Sequence, residues 1–307
     1  MLTIGSRGSQ LALWQANWVK SRLETLGTEC RIEIIKTTGD KIQDVPLAKV
    51  GSKGLFTKEI EEALLAGTID LAVHSLKDLP TVLPEGLTLA AIPEREDVRD
   101  ALVGTTLDAL PHGAKVGTSS LRRAAQLRAL RPDLVLETIR GNVDTRLRKQ
   151  AEGQYDAIVL AAAGLRRLGW ADRIAQTLEP ETMCPAVGQG ALAIETRDDQ
   201  GEGYHACRQL NHRETEAAVT AERAVLAALG GGCQVPIGAH AILNGDSMYL
   251  RAVVISPDGA TLIKKNVTGP AANAASMGRA LADELLAAGG REILDEVYSK
   301  DIGKLQV

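Results

Sequence analysis

Residues 230–238 read GGGCQVPIG, and Cys233 among them is the first residue whose setting invites chemistry. Three successive glycines reach backbone conformations closed to residues with a Cβ, so they make a loop rather than an element. Pro236 stiffens the exit by fixing its own φ and restricting Val235. A thiol on such a tip, ionised to the thiolate, is a nucleophile that can be presented to a cavity. The same nine residues also describe a helix end running into a surface turn around a small buried cysteine. Cys30, Cys184 and Cys207 lie far apart, with no CxxC pair. That is neither a zinc pattern nor a disulfide framework, and it points to a reducing compartment.

Residues 74–80, HSLKDLP, hold the second candidate. The apolar run 69–73 reads as a parallel strand that stops here. His74, Ser75, Lys77 and Asp78 therefore fall at a carboxyl end, where open α/β sheets bind ligands. Asp78 equally fits a turn before Pro80, and His74 a core histidine with a buried partner. The third candidate is a set of arginines. Strand 115–117 is followed by Thr118, Ser119 and Ser120, a capping run opening a helix that carries Arg122 and Arg123. Strand 134–138 is followed by Arg140 and Arg146, and strand 155–161 by Arg166 and Arg167. One arginine alone fits a solvated helix face. Recurrence at matching ends of three successive strands points to carboxylate recognition at helix N-termini.

Charge follows the same division. Residues 112–170 carry 11 Lys plus Arg against 5 Asp plus Glu, inside a chain of net charge −4. A basic middle in an acidic protein implies an anionic ligand held locally. No nucleic-acid partner is expected, since an aromatic content of 3% supplies few stacking platforms.

The elements that must position these residues alternate strand and helix. At 307 residues the chain is long enough for two or three domains, with aliphatic cores because Phe56 is its single phenylalanine. A short strand at 2–4 leads into a loop with Arg7, and Ser9 caps a helix whose Leu11, Trp14, Trp18 and Leu26 keep helical spacing. Strand 31–36 precedes a long polar segment, 37–54, containing Lys49 and Lys53. Helix 56–66 and strands 69–73 and 87–92 follow. The charged run 93–100 reads as a crossing between domains and 185–191 as the return, into strand 192–195. Helix 214–229 delivers the chain to the glycine run. Strands 239–243, 249–255 and 262–267, joined by turn signals, and helices 271–287 and 291–298 complete it. No apolar run approaches membrane-spanning length, and the N-terminus lacks a charged leader before an apolar core. A cytoplasmic protein without a membrane partner is expected. No set of His, Cys and carboxylate residues has metal-ligand spacing.

Seven blocks occur in order: GSRGSQLALWQ, PLAKVGSKGLFTKEIEEALL, VHSLKDLP, VGTSSLRR, IRGNVDTRL, PAVGQGALAIE and GGCQVPIGA. Together they closely resemble the porphobilinogen deaminase (hydroxymethylbilane synthase) family over essentially the whole chain. The resemblance implies a transferase of tetrapyrrole and haem biosynthesis that joins four porphobilinogen molecules head to tail into hydroxymethylbilane, releasing ammonia at each step. It implies a dipyrromethane cofactor held by a thioether to Cys233, and Asp78 as the catalytic carboxylate beside a cationic azafulvene. Cofactor contacts carried over are Lys53, Ser75, Lys77, Thr118, Ser119, Ser120, Arg122, Arg123 and Arg146. Substrate contacts are Arg7, Ser9, Lys49, Arg140, Arg146 and Arg167. The acetate and propionate of each pyrrole would account for the basic middle.

The expected architecture is α/β: two periplasmic-binding-protein-like domains around a central cleft, plus a smaller C-terminal α+β domain. Residues 1–98 with 191–212 make domain 1, 99–190 domain 2 and 213–307 domain 3, in a monomer. A non-catalytic binding protein on the same fold would explain the strands and arginines, but gives no work to Cys233 or Asp78.

Overall fold

The computed structural model describes residues 1–41, 56–231 and 235–303. β1 (Leu2–Ser6) leads through a short loop into α1 (Gln10–Thr25), which Ser9 caps by accepting from the Ala12 amide at 3.4 Å. β2 (Cys30–Ile34), α2 (Thr38–Lys41), α3 (Lys58–Leu65) and β3 (Leu71–Ser75) follow, then a 3₁₀ turn (Leu76–Asp78) and β4 (Leu87–Ala91). A second group begins at β5 (Asp100–Val103) and continues through β6 (Lys115–Gly117), α4 (Leu121–Leu130), β7 (Val135–Glu137) and α5 (Val143–Ala151). It closes with β8 (Ala157–Ala161), α6 (Ala162–Arg167) and β9 (Gln176–Leu178). The chain then returns through β10 (Leu192–Arg197) and α7 (Glu202–Arg208) to α8 (Arg213–Ala228). β11 (Ile237–Asn244), β12 (Ser247–Ile255), β13 (Leu262–Pro270), α9 (Ala274–Leu285) and α10 (Arg291–Gly303) finish it.

These strands form three sheets. The first has order β2-β1-β3-β10-β4 and the second β7-β6-β8-β5-β9. In each, the middle strand pairs in parallel on one side and with a single antiparallel strand on the other. That antiparallel strand is in both cases the first one after a crossing: β5 after the outward passage, β10 after the return. The two sheets therefore share one topology, and each crossing ends inside the sheet it enters. β1, β3 and β8 are apolar runs buried almost throughout, as parallel strands covered on both faces must be. The third sheet is the antiparallel meander β11-β12-β13. Ala239, Ala241, Leu250, Ala252 and Val254 share its buried core with Val225 of α8 and Leu281 of α9. Gly278 lets α9 lie on α8, since a Cβ there would run into the Ala221 carbonyl.

The fold class is the mixed α/β one expected. Four elements were not expected: α2, inside the polar segment 37–54, β5, of which only Asp100 lies in the run read as a crossing, and the short β9 and α7. β3 also starts two residues later than the apolar run indicates.

The two crossings lie side by side. The Glu96 amide donates to the Gly190 carbonyl at 3.1 Å, and Arg95 Nε to the Gln189 carbonyl at 2.8 Å. Gly190 has φ +86°, and a Cβ there would strike the Glu96 carbonyl, so the approach requires glycine. Glu222 of α8, with no exposure to solvent, joins both crossings to the third sheet. Its carboxylate accepts from Arg95 at 2.7 and 3.0 Å, from the Gly188 amide at 2.8 Å and from the Ala241 amide at 2.9 Å. A buried carboxylate with four donors is expensive to alter, because removing it strands a buried guanidinium. Glu222→Gln is expected to lower unfolding free energy by about 3 kcal/mol. Urea denaturation of both proteins checks this, and an unchanged midpoint would contradict it.

Candidate functional site

The ligand-facing side chains gather at the carboxyl ends of the parallel strands in the first two sheets. On the first sheet, Arg7 leaves the end of β1 and Ser75 ends β3, with Lys77 and Asp78 in the turn that follows. Arg7, Ser9, Gln15, His74, Ser75 and Asp78 line one recess, together with Phe56 and Thr57 at the start of α3. Arg7 lies with its guanidinium 4.2 Å from the Phe56 ring centroid, a cation–π contact that fixes its direction. Ser75 Oγ donates to Gln15 Oε1 at 2.9 Å. Asp78 is exposed.

On the second sheet, Thr118, Ser119 and Ser120 follow β6. Ser120 caps α4 by accepting from the Arg123 amide at 3.4 Å, Ser119 donates to the Ile139 carbonyl, and Thr118 Oγ1 accepts from the Ser120 amide at 3.2 Å. The loop is thus held in place by its own hydroxyls. Arg146 donates to the Gly141 carbonyl at 2.8 Å, while the Arg140 carbonyl receives Lys149 Nζ at 3.2 Å.

Three of the expected arginines have partners of their own. Arg122 and Arg123 are buried and converge on Asp100, which is wholly inaccessible. Arg122 Nη1 reaches Asp100 Oδ2 at 2.7 Å and the Cys184 carbonyl at 2.7 Å; Arg123 Nε reaches Asp100 Oδ1 at 2.8 Å. Burial alone would raise the Asp100 carboxyl, but the two guanidinium groups outweigh it and hold it well below the usual range. Arg167, also buried, donates to Gln15 Oε1 at 3.3 Å and the Gly190 carbonyl at 2.7 Å. It ties the second sheet to α1 and to the return crossing.

Burial pulls Arg146 down to about 10, with Arg123 and Arg140 adding like-charge repulsion. Burial likewise pulls Arg167 down to about 10 and Lys77 down to about 8, the latter against the pull of Asp78. Asp78 also acts electrostatically on Arg123 and Arg146, across from the sheet that carries it. Desolvated cations flanking an exposed carboxylate suit a ligand rich in carboxylates.

Cys233, Lys49 and Lys53 lie outside the described residues. Cys30, Cys184 and Cys207 are buried, and desolvation pushes the thiols of Cys184 and Cys207 up to about 12 and raises that of Cys30. None of these three is a ready thiolate. Among the described residues no group of His, Cys, Asp and Glu could hold a metal ion, and no helix is long and apolar enough to cross a membrane.

Gln15, Asp100, Gln189 and Glu222 escaped the sequence reading. Gln189 is inaccessible and bridges Val98 O at 2.7 Å and Asp100 Oδ1 at 2.9 Å. Its place between two glycines in the return crossing was the one available signal.

Comparison with known proteins matches residues 2–204 to the family model for the porphobilinogen deaminase dipyromethane cofactor binding domain, and 217–287 to that for the C-terminal domain. The chain is 54% identical over 307 residues to porphobilinogen deaminase of Geobacter sulfurreducens, covering 99% of this chain and 96% of the relative. It is 55% identical over 305 residues to that of Nitratidesulfovibrio vulgaris (strain Hildenborough), covering 97% of each. A periplasmic substrate-binding protein of an ABC transporter from Coxiella burnetii superposes with TM-score 0.44 at 14% identity, over 68% of this chain and 92% of that one. The fold class is carried by the strand pairing itself.

The depressed Lys77 ammonium has a thermodynamic consequence. Its folded value, about 8, lies below the ordinary 10.5. Between those values the unfolded chain holds a proton that the folded one has lost, so stability from this group rises with pH across the window. The stability of the parent relative to Lys77→Met is expected to increase on going from below pH 8 to near pH 10.5, measured by urea unfolding. A difference that stays constant would contradict the assignment.

Proposed function

The chain belongs to the porphobilinogen deaminase family, and we propose that the recess at the end of β3 is where its chemistry runs, with Asp78 as the catalytic carboxylate. The enzyme polymerises porphobilinogen in tetrapyrrole biosynthesis and takes a dipyrromethane cofactor. That cofactor, when bound, supplies the pyrrole end to which substrate is added. Cys233 is its attachment point in this reading, supported by the buried, protonated condition of the other three thiols.

One observation carries the role of Asp78. Its exposed carboxylate stands at the carboxyl end of a buried parallel strand, within electrostatic reach of Lys77, Arg123 and Arg146. The cations hold the carboxylates of substrate and growing chain, while Asp78 accepts pyrrole N–H donors. Loss of ammonia from porphobilinogen leaves positive charge on the ring, and a fixed carboxylate stabilises charge that develops beside it. Arg7, Ser9, Arg140 and Arg167, with Lys49, are assigned to substrate. Ser75, Lys77, Thr118, Ser119, Ser120, Arg122, Arg123 and Arg146, with Lys53, are assigned to the cofactor. For Arg122 and Arg123 that assignment acts through Asp100: both guanidinium groups are already bonded to it, so they order the loop from Thr118 more than they reach outward.

The proposal includes the division into 1–98 with 191–212, 99–190 and 213–307, supported by each sheet drawing its strands from one of these parts. It also includes a cytoplasmic monomer and the absence of a nucleic-acid partner, the last supported by the net charge of −4.

Asp78→Asn keeps an acceptor near the pyrrole N–H groups but loses the charge. It is expected to lower ammonia release and hydroxymethylbilane formation by about 10²-fold or more. A variant with most of the parent's turnover would overturn the role of Asp78.

A further inference from the structure

Beneath the recess lies a cluster that the account above leaves unused. His74, 7% exposed, bonds through Nε2 to Glu195 Oε2 at 2.8 Å, and Glu195 is wholly inaccessible. Register explains the pair. Ala72 faces Glu195 across β3 and β10, and His74, two residues on, shares that face. α3 covers the same face, Ala72 packing with its Ile60 and Leu64. The helix adds Glu61, 8% exposed. Glu195 Oε1 and Glu61 Oε1 are both buried without a hydrogen-bond partner.

Two buried carboxylates beside one imidazole is a costly arrangement for packing alone. Burial, with the Glu195 charge adding to it, pushes the Glu61 carboxyl up. A carboxylate on one nitrogen of a histidine fixes the tautomer and stabilises the imidazolium once the other nitrogen takes a proton. The ring is part of the recess wall, along with Ser75 and Asp78.

Porphobilinogen coupling creates the need for such a group. Each addition breaks the aminomethyl C–N bond, ammonia departing with its electron pair, and forms one C–C bond. It also breaks one pyrrole C–H bond, whose electron pair returns to the ring and whose proton has to be accepted. We propose that His74, held by Glu195, is a second proton-accepting group of this recess besides Asp78. It takes that proton on Nδ1, while Nε2–H stays bonded to Glu195, and passes it to solvent or ammonia before the next addition. Glu61 from α3, Glu195 from β10, Asp78 from the turn and Arg7 from the end of β1 are the charged or titratable groups around it.

The inference rests on the proposed site, and its test separates the two. Holoenzyme carrying His74→Gln keeps a donor for Glu195 and a similar volume but loses the base. Its kcat for porphobilinogen is expected to fall about a hundredfold, with KM little changed, and the acid limb of the kcat–pH profile should disappear. Glu195→Gln retains an acceptor without the charge, so kcat should fall about tenfold and the acid limb should move to lower pH. If His74→Gln does not fold, Glu195→Gln alone carries the test. Parental kcat and an unchanged pH profile in whichever variants fold would overturn the role of His74 while leaving porphobilinogen coupling intact. Absence of turnover in the parent would overturn the function on which this inference rests.

Discussion

Positive charge is held here in a desolvated site, and one buried carboxylate decides where it points. Asp100 is the first residue of β5, immediately after the outward crossing, and it takes Arg122, Arg123 and the Gln189 amide at once. An ion cluster of this kind is weak evidence for stability, since desolvation offsets most of the attraction. What it supplies is geometry. The start of α4, the end of the crossing and the return segment are fixed to a single point. The serine and threonine loop before α4 is ordered as a result. Arg146 and Lys77 stand nearby, both within reach of the Asp78 charge.

Glu222 repeats the device from the other side. It fastens Arg95 and Gly188, one on each crossing, to the third sheet through Ala241. The third sheet is therefore coupled to both connections between the other two sheets. Arg167 adds a direct bridge from α6 to Gln15 on α1. Asp100, Glu222 and Arg167 thus tie together parts of the chain that belong to different sheets. Hinges are usually a few residues at the ends of elements; Asp100 opens β5 and Arg167 closes α6, whereas Glu222 lies inside α8.

Much of this was legible from the residue string. The apolar runs that became β1, β3 and β8 are recognisable because parallel strands buried on both faces need no polar alternation. The residues after them could be placed at a ligand-binding end once strand and helix were seen to alternate. Asp100 could not be singled out. It sits in PEREDVRD, where Glu94 is exposed and Asp100 is inaccessible, and only the arrival of α4 and residue 189 makes that difference. β9, with the three residues QTL, has no periodicity of its own and is a strand because β5 is there to pair with it. Glu222 lies in an alanine-rich helix whose buried face is broad, so nothing local marks it as a clamp. His74 read as a core histidine with a buried partner, and Glu195 is that partner; its place at the wall of the recess appears only in three dimensions.

The measurement that tests the account most directly is the intact mass of the purified protein beside its Cys233→Ala variant. An excess in the parent equal to two linked pyrrole units, absent from the variant, is the expected result. It would tie the cofactor to Cys233. A parent at its bare sequence mass, still bare after incubation with porphobilinogen, would contradict the account at its centre.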